Sequence, residues 1–344
     1  MKKLSALLLA LILTVSLVAC GGDAVTEAPT EATETTENST VVEETKDDVT
    51  VRVAGMTGPT SIGMVKVIAD AKNGEAKGNY EFTIAGSADE ITPKIVKKEL
   101  DIAAVPANLA SNLYHKTEKG VKLIAINNLG VLYVLDKNVG ITSVADLKGK
   151  TIYATGKGST PEYTLKYILS ENGINPDTDV TIEFKSEPTE IVALLKEADS
   201  GVAMLPMPYV IVAKSQVEGL ETALDLGAEW KKINPDSETV TGVIIARSEF
   251  IDEHPEAVNT FIEEYVASCK YVNENVEDAA TLVEEAGIFK AAIAKQAIPF
   301  CNVTGTTGED MKPVVEGYLN VLLGQNPAAI GGSLPEADFY YSAN

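Results

Sequence analysis

The segment TIYATGKGSTPEYTLKYILSE, Thr151 to Glu171, reads as strand, loop and helix in succession. Thr151–Ala154 is a short β-rich run, and Glu162–Glu171 places apolar residues at helical spacing. Between them Gly156 and Gly158 let backbone amides approach a bound group, Ser159 or Thr160 can cap the helix, and Pro161 suits its first turn. A helix N-terminus of this kind carries unpaired N–H groups suited to an anionic or strongly polar partner. A plain capped helix leaves the same signature, so the segment speaks first to fold and only then to function. It lacks the spacing of a phosphate-binding P-loop, and Pro161 spoils a dinucleotide G-x-G-x-x-G, which leaves nucleotide binding weakly supported.

The same alternation continues outward. Strand candidates are Thr50–Ala54, Tyr80–Ala85, Ile102–Val105, Leu123–Ile126, Gly130–Leu135, Val180–Phe184, Val202–Leu205 and Val240–Ala246. Helix candidates between and after them include Ile62–Lys72, Thr92–Lys98, Thr189–Glu197 and Pro255–Asn275. Strands alternating with helices of this length predict an α/β protein with mainly parallel sheets.

Ligands of such sheets bind beyond the carboxyl ends of the strands. The junctions there are therefore the candidate site. In GMTGPTS, Gly58 and Pro59 set a turn, Thr60 and Ser61 offer a cap or ligand hydroxyls, and Met56 offers an adaptable apolar wall. Ser87 and Asp89 in GSADE are caps or contacts, and PAN contributes Asn108. The loop of the opening segment adds Gly158, Ser159, Thr160 and Tyr163. PMPY adds Pro206 and Tyr209, whose ring can stack on a ligand or occupy a half-buried turn.

Composition narrows the partners. The chain of 344 residues carries 50 acidic against 28 basic residues, a formal charge of −22, which excludes the basic stripe of a nucleic-acid binder. The two arginines, Arg52 and Arg247, lie within or beside strands, so a bidentate arginine clamp on a carboxylate ligand is not expected in the loops. Lys157 is the nearest loop cation. His115 and His254 have no nucleophile in a recognisable local setting, and no metal-ligand or cofactor motif is present. Cys269 and Cys301 read equally as small buried residues or as a disulfide permitted by export.

The amino terminus reads as export and anchoring. Residues 1–19 combine two lysines with an apolar run from Leu4 to Val18, too short to span a membrane, as in a secretory signal. Leu17-Val18-Ala19-Cys20 resembles the bacterial lipoprotein box, which implies a diacylglycerol thioether on Cys20 and attachment to the outer face of the cell membrane. Residues 20–48 are Thr- and Glu-rich, with nine acids against one lysine, and read as a disordered tether.

VGITSVADLKGKTIYATGKGSTPEYTLKYIL, Val139–Leu169, resembles the start of the second lobe in the nitrate/sulfonate/taurine-type substrate-binding proteins of ABC transporters, a group that includes the thiamine-precursor (NMT1/THI5-like) proteins. DLKGK followed by a strand and a Gly-Ser-Thr loop is its most specific part. TGVIIARSEFIDEHPEAVNTFIEEY and LPEADFYY are similar to the return into lobe one and to the closing segment. The resemblance implies a two-lobed type II periplasmic-binding fold, with lobe one at 49–137 plus 241–344 and lobe two at 138–240. It implies an extracytoplasmic receptor, acting as a monomer, that passes a small solute to an ABC permease and its ATPase. The namesake ligands are sulfonates, taurine and nitrate; a heterocycle such as a thiamine pyrimidine precursor or a riboflavin-like ring competes, favoured by Met56, Tyr163 and Tyr209. An exported enzyme and a sensory lipoprotein without transport are the other classes. The eukaryotic pyrimidine synthases of this fold carry a histidine- and cysteine-rich motif that has no counterpart here.

Overall fold

The computed structural model describes residues 49–343. The lipoprotein box, Cys20 and the acidic tether lie outside that range. Two sheets organise the chain, each surrounded by helices.

The first sheet has the order β11-β4-β10-β3-β1-β2. Its strands are β1 (Thr50–Met56), β2 (Asn79–Ala85), β3 (Ile102–Pro106), β4 (Val121–Asn128), β10 (Gly242–Arg247) and β11 (Val303–Thr306). β1 pairs in parallel with β2 and β3, whereas β10 runs antiparallel between β3 and β4. All six residues of β10 are buried, as a central strand covered on both faces requires, and GVIIA is accordingly a continuous apolar run. β2, at the edge, instead alternates exposed and half-buried positions.

The second sheet has the order β7-β6-β8-β5-β9, built from β5 (Leu132–Lys137), β6 (Thr151–Ala154), β7 (Thr181–Phe184), β8 (Gly201–Pro206) and β9 (Leu220–Asp225). Again the core is parallel and the strand arriving from the other sheet, β5, is antiparallel to its neighbours. Because β5 pairs with β8 and β9, the chain crosses between sheets at 129–131, not near 138 as the polar stretch DKNVGITS suggested. That stretch is a turn stapled by Asp136, whose carboxylate accepts from the amides of Val139, Gly140 and Ile141 at 2.8, 2.8 and 3.0 Å. The return crossing runs through 234–241 into β10.

Thirteen α-helices complete the described chain. In the first half these are α1 (Pro59–Ile62), α2 (Val65–Asn73), α3 (Ala88–Val96), α4 (Ala107–Lys116), α5 (Thr160–Glu171), α6 (Pro188–Glu197), α7 (Tyr209–Gln216) and α8 (Leu226–Ile233). After the return come α9 (Ser248–Glu253), α10 (Pro255–Glu274), α11 (Val276–Glu285), α12 (Ala291–Ala297) and α13 (Met311–Gln325). α10 buries Val258, Phe261, Tyr265, Cys269 and Val272, a single stripe at helical spacing. The buried side chains form two apolar clusters, each drawing on strands of both sheets. None of the described helices is long and apolar enough to cross a membrane.

Arg52 and Arg247 are consumed at the amino end of β3. Asp101, buried to 1 %, takes a bidentate pair from Arg52 at 2.7 and 2.8 Å and a third bond from Arg247 at 2.8 Å. Burial opposes its ionisation, but these guanidinium bonds prevail and hold the carboxyl below its ordinary range. The absence of arginine from the loops thus has a structural counterpart: both serve a clamp at the amino end of β3, opposite the loops that follow β1 and β3.

Candidate functional site

Topology brings the carboxyl ends of β1, β2, β3 and β4 to one edge of the first sheet, with the start of β10 between β3 and β4. Gly242 opens β10, pairing with Pro106 on one side and Asn128 on the other. Thr60 lies directly over it, so close that a Cβ at Gly242 would sit 2.8 Å from the Thr60 Cγ2. Asn127 borders the same spot and donates its Nδ2 to the Thr60 carbonyl at 2.6 Å.

This corner holds unsatisfied polar atoms. Thr60 is 4 % exposed and Asn127 fully buried, yet the Thr60 Oγ1 and the Asn127 Oδ1 have no hydrogen-bond partner among the described residues. The Asn128 Oδ1 and the Thr241 Oγ1 are likewise unpartnered. Buried polar atoms are normally paired, and each left alone costs about 1 to 3 kcal/mol. Four such atoms on neighbouring strand ends and the loop over them set this end of the first sheet apart.

The second sheet reaches the same corner through the loop between β6 and α5. Asn108, buried in the first turn of α4, donates to the Gly158 carbonyl at 3.4 Å, and its Oδ1 accepts from the Thr160 hydroxyl at 3.4 Å. Asn108 also donates to the Ala329 carbonyl at 3.3 Å, which ties it to the C-terminal segment of the chain. Gly158 has φ +73° and is exposed, a left-handed position open to glycine at little cost. The loops of both sheets therefore meet at Asn108, Gly158 and Thr160.

The remaining candidates divide. The Ser61 hydroxyl is turned inward, donating to the Met56 carbonyl at 2.7 Å, and braces its loop instead of facing outward. Met56 is half-buried, and Gly58 and Pro59 are the buried turn that starts α1. Ser159 is the N-cap of α5 without a side-chain capping bond. The Tyr163 hydroxyl accepts from the Asn326 amide at 3.4 Å, and burial raises its pKa. Ser87 is half-buried and Asp89 exposed at the start of α3, beside the first loop through the Thr57 N–H to Ala85 carbonyl bond at 2.9 Å. Pro206 ends β8. Tyr209 packs its ring edge-on against Phe289 at 5.2 Å, joining α7 to the segment before α12, which leaves it outside the Asn108 cluster.

Three residues of the corner were not singled out from sequence: Asn127, Thr241 and Glu162. Asn127 and Thr241 are ordinary polar residues at strand ends, and only the neighbours brought by the fold make them unusual. Glu162 had a legible signal, an acid in the first turn of a capped helix. Its carboxylate accepts from the Gly158 N–H at 2.6 Å and pairs with Lys166 at 2.9 Å, so the amide that the loop offers to an anion is already occupied.

His115 bonds to the Ser333 carbonyl at 2.9 Å, at the far end of α4 from Asn108. Among the described residues no group of His, Cys, Asp and Glu is arranged to hold a metal. A cavity of about 510 Å³ lined by Lys122, Asp338 and Tyr340 opens at the amino end of β4, away from this corner. Cys269 and Cys301 are free and buried; desolvation lifts the Cys269 thiol to about 12 and the Cys301 thiol further.

Two mainly parallel sheets, each receiving one antiparallel strand from the other lobe and meeting at their loop ends, define a two-lobed periplasmic-binding fold of type II. Residues 84–279 match the NMT1/THI5 like family, and the chain belongs to it. A candidate binding protein of Brucella abortus is 28% identical over 177 residues, 52% of this chain and 47% of that protein, so the match spans about half the length of that relative. The fold is similar to that of an ABC transporter protein of Parabacteroides distasonis, with TM-score 0.72 and 21% identity over 86% of this chain and 100% of the other. It is also similar to the periplasmic aliphatic sulphonate binding protein SsuA of Escherichia coli, with TM-score 0.67 and 13% identity over 86% and 92% of the two chains.

Proposed function

We propose that this protein is an extracytoplasmic solute receptor, held to the membrane by a lipid on Cys20, that captures a small organic molecule between its lobes and delivers it to an ABC permease and its ATPase. The observation that carries the reading is the meeting of the β3–α4 and β6–α5 loops, through Asn108, Gly158 and Thr160, beside the unpartnered Thr60 Oγ1 and Asn127 Oδ1. The family and the fold of the relatives support it.

The mechanism is closure about the two crossings, 129–131 and 234–241. The two crossings pack closely at Gly130, where a Cβ would meet the Thr239 Oγ1 of the second crossing at 2.3 Å and the Gly227 Cα at 3.2 Å. A ligand that bonds to both lobes favours the closed arrangement by its differential affinity, and only that difference shifts the equilibrium. The permease then distinguishes loaded from empty receptor by the rims of the lobes.

The test is a thermal-shift screen of small solutes followed by small-angle scattering. A ligand at 100 times its dissociation constant stabilises by about 2.7 kcal/mol. A stabilising solute that also compacts the protein supports the proposal; stabilisation with an unchanged scattering profile at saturation overturns the closure mechanism.

A further inference from the structure

We infer that helix α13 is a third link between the lobes, one made by packing and not by a chain crossing, which stays bound to lobe two when the lobes part; this rests on the closure reading above. The chain leaves the first sheet after β11, runs through α13 and comes back to lobe one at Ala329 and Ile330. There the Ser111 hydroxyl of α4 donates to the Ile330 carbonyl at 2.6 Å, and Asn108 and Asn112 donate to the Ala329 carbonyl. Both ends of the α13 segment are therefore fixed to the first sheet and its helices.

Its middle is fixed to the other lobe. The Tyr318 and Thr164 hydroxyls, one on α13 and one on α5, share a hydrogen bond at 3.3 Å. The Tyr318 ring lies 5.4 Å from that of Trp230 on α8, which in turn packs on Tyr167 of α5 at 4.5 Å. Just past the end of α13 the Asn326 amide donates to the Tyr163 hydroxyl at 3.4 Å. A Cβ on Gly317 would lie 3.5 Å from the Ser237 Oγ, so the helix also passes at van der Waals distance from the second crossing. Val315, Tyr318 and Leu322 accordingly share one apolar cluster with Leu113 of α4 and with Ile168 and Trp230 of lobe two.

Burial decides whether this contact breaks. Trp230 and Tyr318 are fully buried and Thr164 is 1 % exposed. Parting the lobes along α13 would bring two large aromatic faces into water, and aromatic rings dominate the energetics of cores and interfaces. An open and a closed form that one small solute interconverts must instead lie close in free energy. The loops offer an easier line of separation, since Asn108 holds Gly158 and Thr160 through bonds of 3.4 Å each. The lobes thus part at the loops while α13 keeps its place on α5 and α8. Because Thr164 lies one turn after Thr160, the same contact sets where the α5 wall of the cleft stands.

The experiment measures distances in the ligand-free full chain. Two cysteine pairs, in a Cys20→Ser background whose remaining thiols are buried, carry nitroxide labels for pulsed dipolar spectroscopy. Asp89→Cys with Thr189→Cys spans exposed positions at the starts of α3 and α6, which follow β2 and β7, the edge strands remote from both crossings. Glu171→Cys with Asn320→Cys spans exposed positions of α5 and α13. A broad or two-peaked distribution at the first pair with a single narrow distance at the second supports the inference. Broadening at the second pair overturns it and leaves closure standing. A single narrow distance at both pairs counts against closure itself, and the inference falls with it. Acrylamide quenching of Trp230, the one tryptophan of the chain, is the label-free measure. Its quenching constant in the ligand-free wild type should be several-fold below that of the urea-unfolded protein; a value close to the unfolded one overturns the inference.

Discussion

Replacing Thr60 with valine deletes one oxygen and changes little else. Its Oγ1 is buried without a partner, while its backbone carbonyl, which valine retains, holds the Asn127 amide at 2.6 Å. An unsatisfied buried hydroxyl costs about 1 to 3 kcal/mol, and a methyl in its place adds about 0.8 kcal/mol of apolar burial. Some of that gain is returned because a methyl is bulkier than the hydroxyl it replaces, so a net stabilisation of about 1 to 2 kcal/mol is expected. For a body of this size the melting temperature rises by about 2 to 4 °C. Ligand affinity moves the other way, falling about 5- to 10-fold as one ligand bond is lost. Ser61→Ala is the paired control, because the Ser61 hydroxyl is bonded to the Met56 carbonyl at 2.7 Å; its removal should destabilise by about 1 kcal/mol. Differential scanning fluorimetry and calorimetric titration read both effects. Destabilisation by Thr60→Val, or unchanged affinity for a ligand found in the screen, refutes the assignment of this hydroxyl to the site.

Other outcomes follow from the same geometry. Gly242→Ala places a Cβ 2.8 Å from the Thr60 Cγ2 and should cost about 1 to 3 kcal/mol while displacing Thr60 and weakening binding; a variant with full stability and affinity would contradict the close approach. Asp101→Asn leaves two guanidinium groups facing a neutral amide and should cost about 3 kcal/mol at pH 7, the lower end for a buried pair because Arg52 is partly exposed. Since the folded Asp101 pKa is depressed, its contribution is complete above the unfolded value near 4 and is lost as pH falls through the lower folded value. Urea midpoints of wild type and Asp101→Asn should therefore converge below about pH 4, and a constant gap down to strongly acidic pH would rule the clamp out. Cys269 and Cys301, buried and with raised thiol pKa values, should resist Ellman's reagent at pH 8 until the protein is unfolded, when two further thiols become reactive.

The βα alternation was legible along the chain because it is written in spacings of two, three and four residues. β6 occupies Thr151–Ala154, the bounds expected from its composition, and α10 begins at Pro255 as the proline indicated. The edges were less legible. β9, LETALD, and β11, VTGT, were not among the expected strands: one carries two acids and the other a glycine, and each is held by its place at a sheet margin. β4 runs from Val121 to Asn128, longer than the apolar run Leu123–Ile126, because cross-strand pairing to β10 carries it through two asparagines.

Residue chemistry alone established an acidic α/β chain whose strand ends carry small, hydroxylated, turn-forming loops, and whose two arginines stand apart from them. Which atoms of those loops are free was decided by contacts that no local pattern encodes. Asn127 meets Thr60 across 67 positions of sequence, and Asn108 meets Thr160 across 52. Ser61 and Thr60 are adjacent and equally hydroxylated, yet one bonds within its loop and the other has no partner. Tyr209, placed by sequence at a strand end, is drawn away by Phe289, 80 residues later. Hydrogen-bond satisfaction is a property of the packed neighbourhood, so the tertiary structure alone could separate a bonded hydroxyl from an unpartnered one.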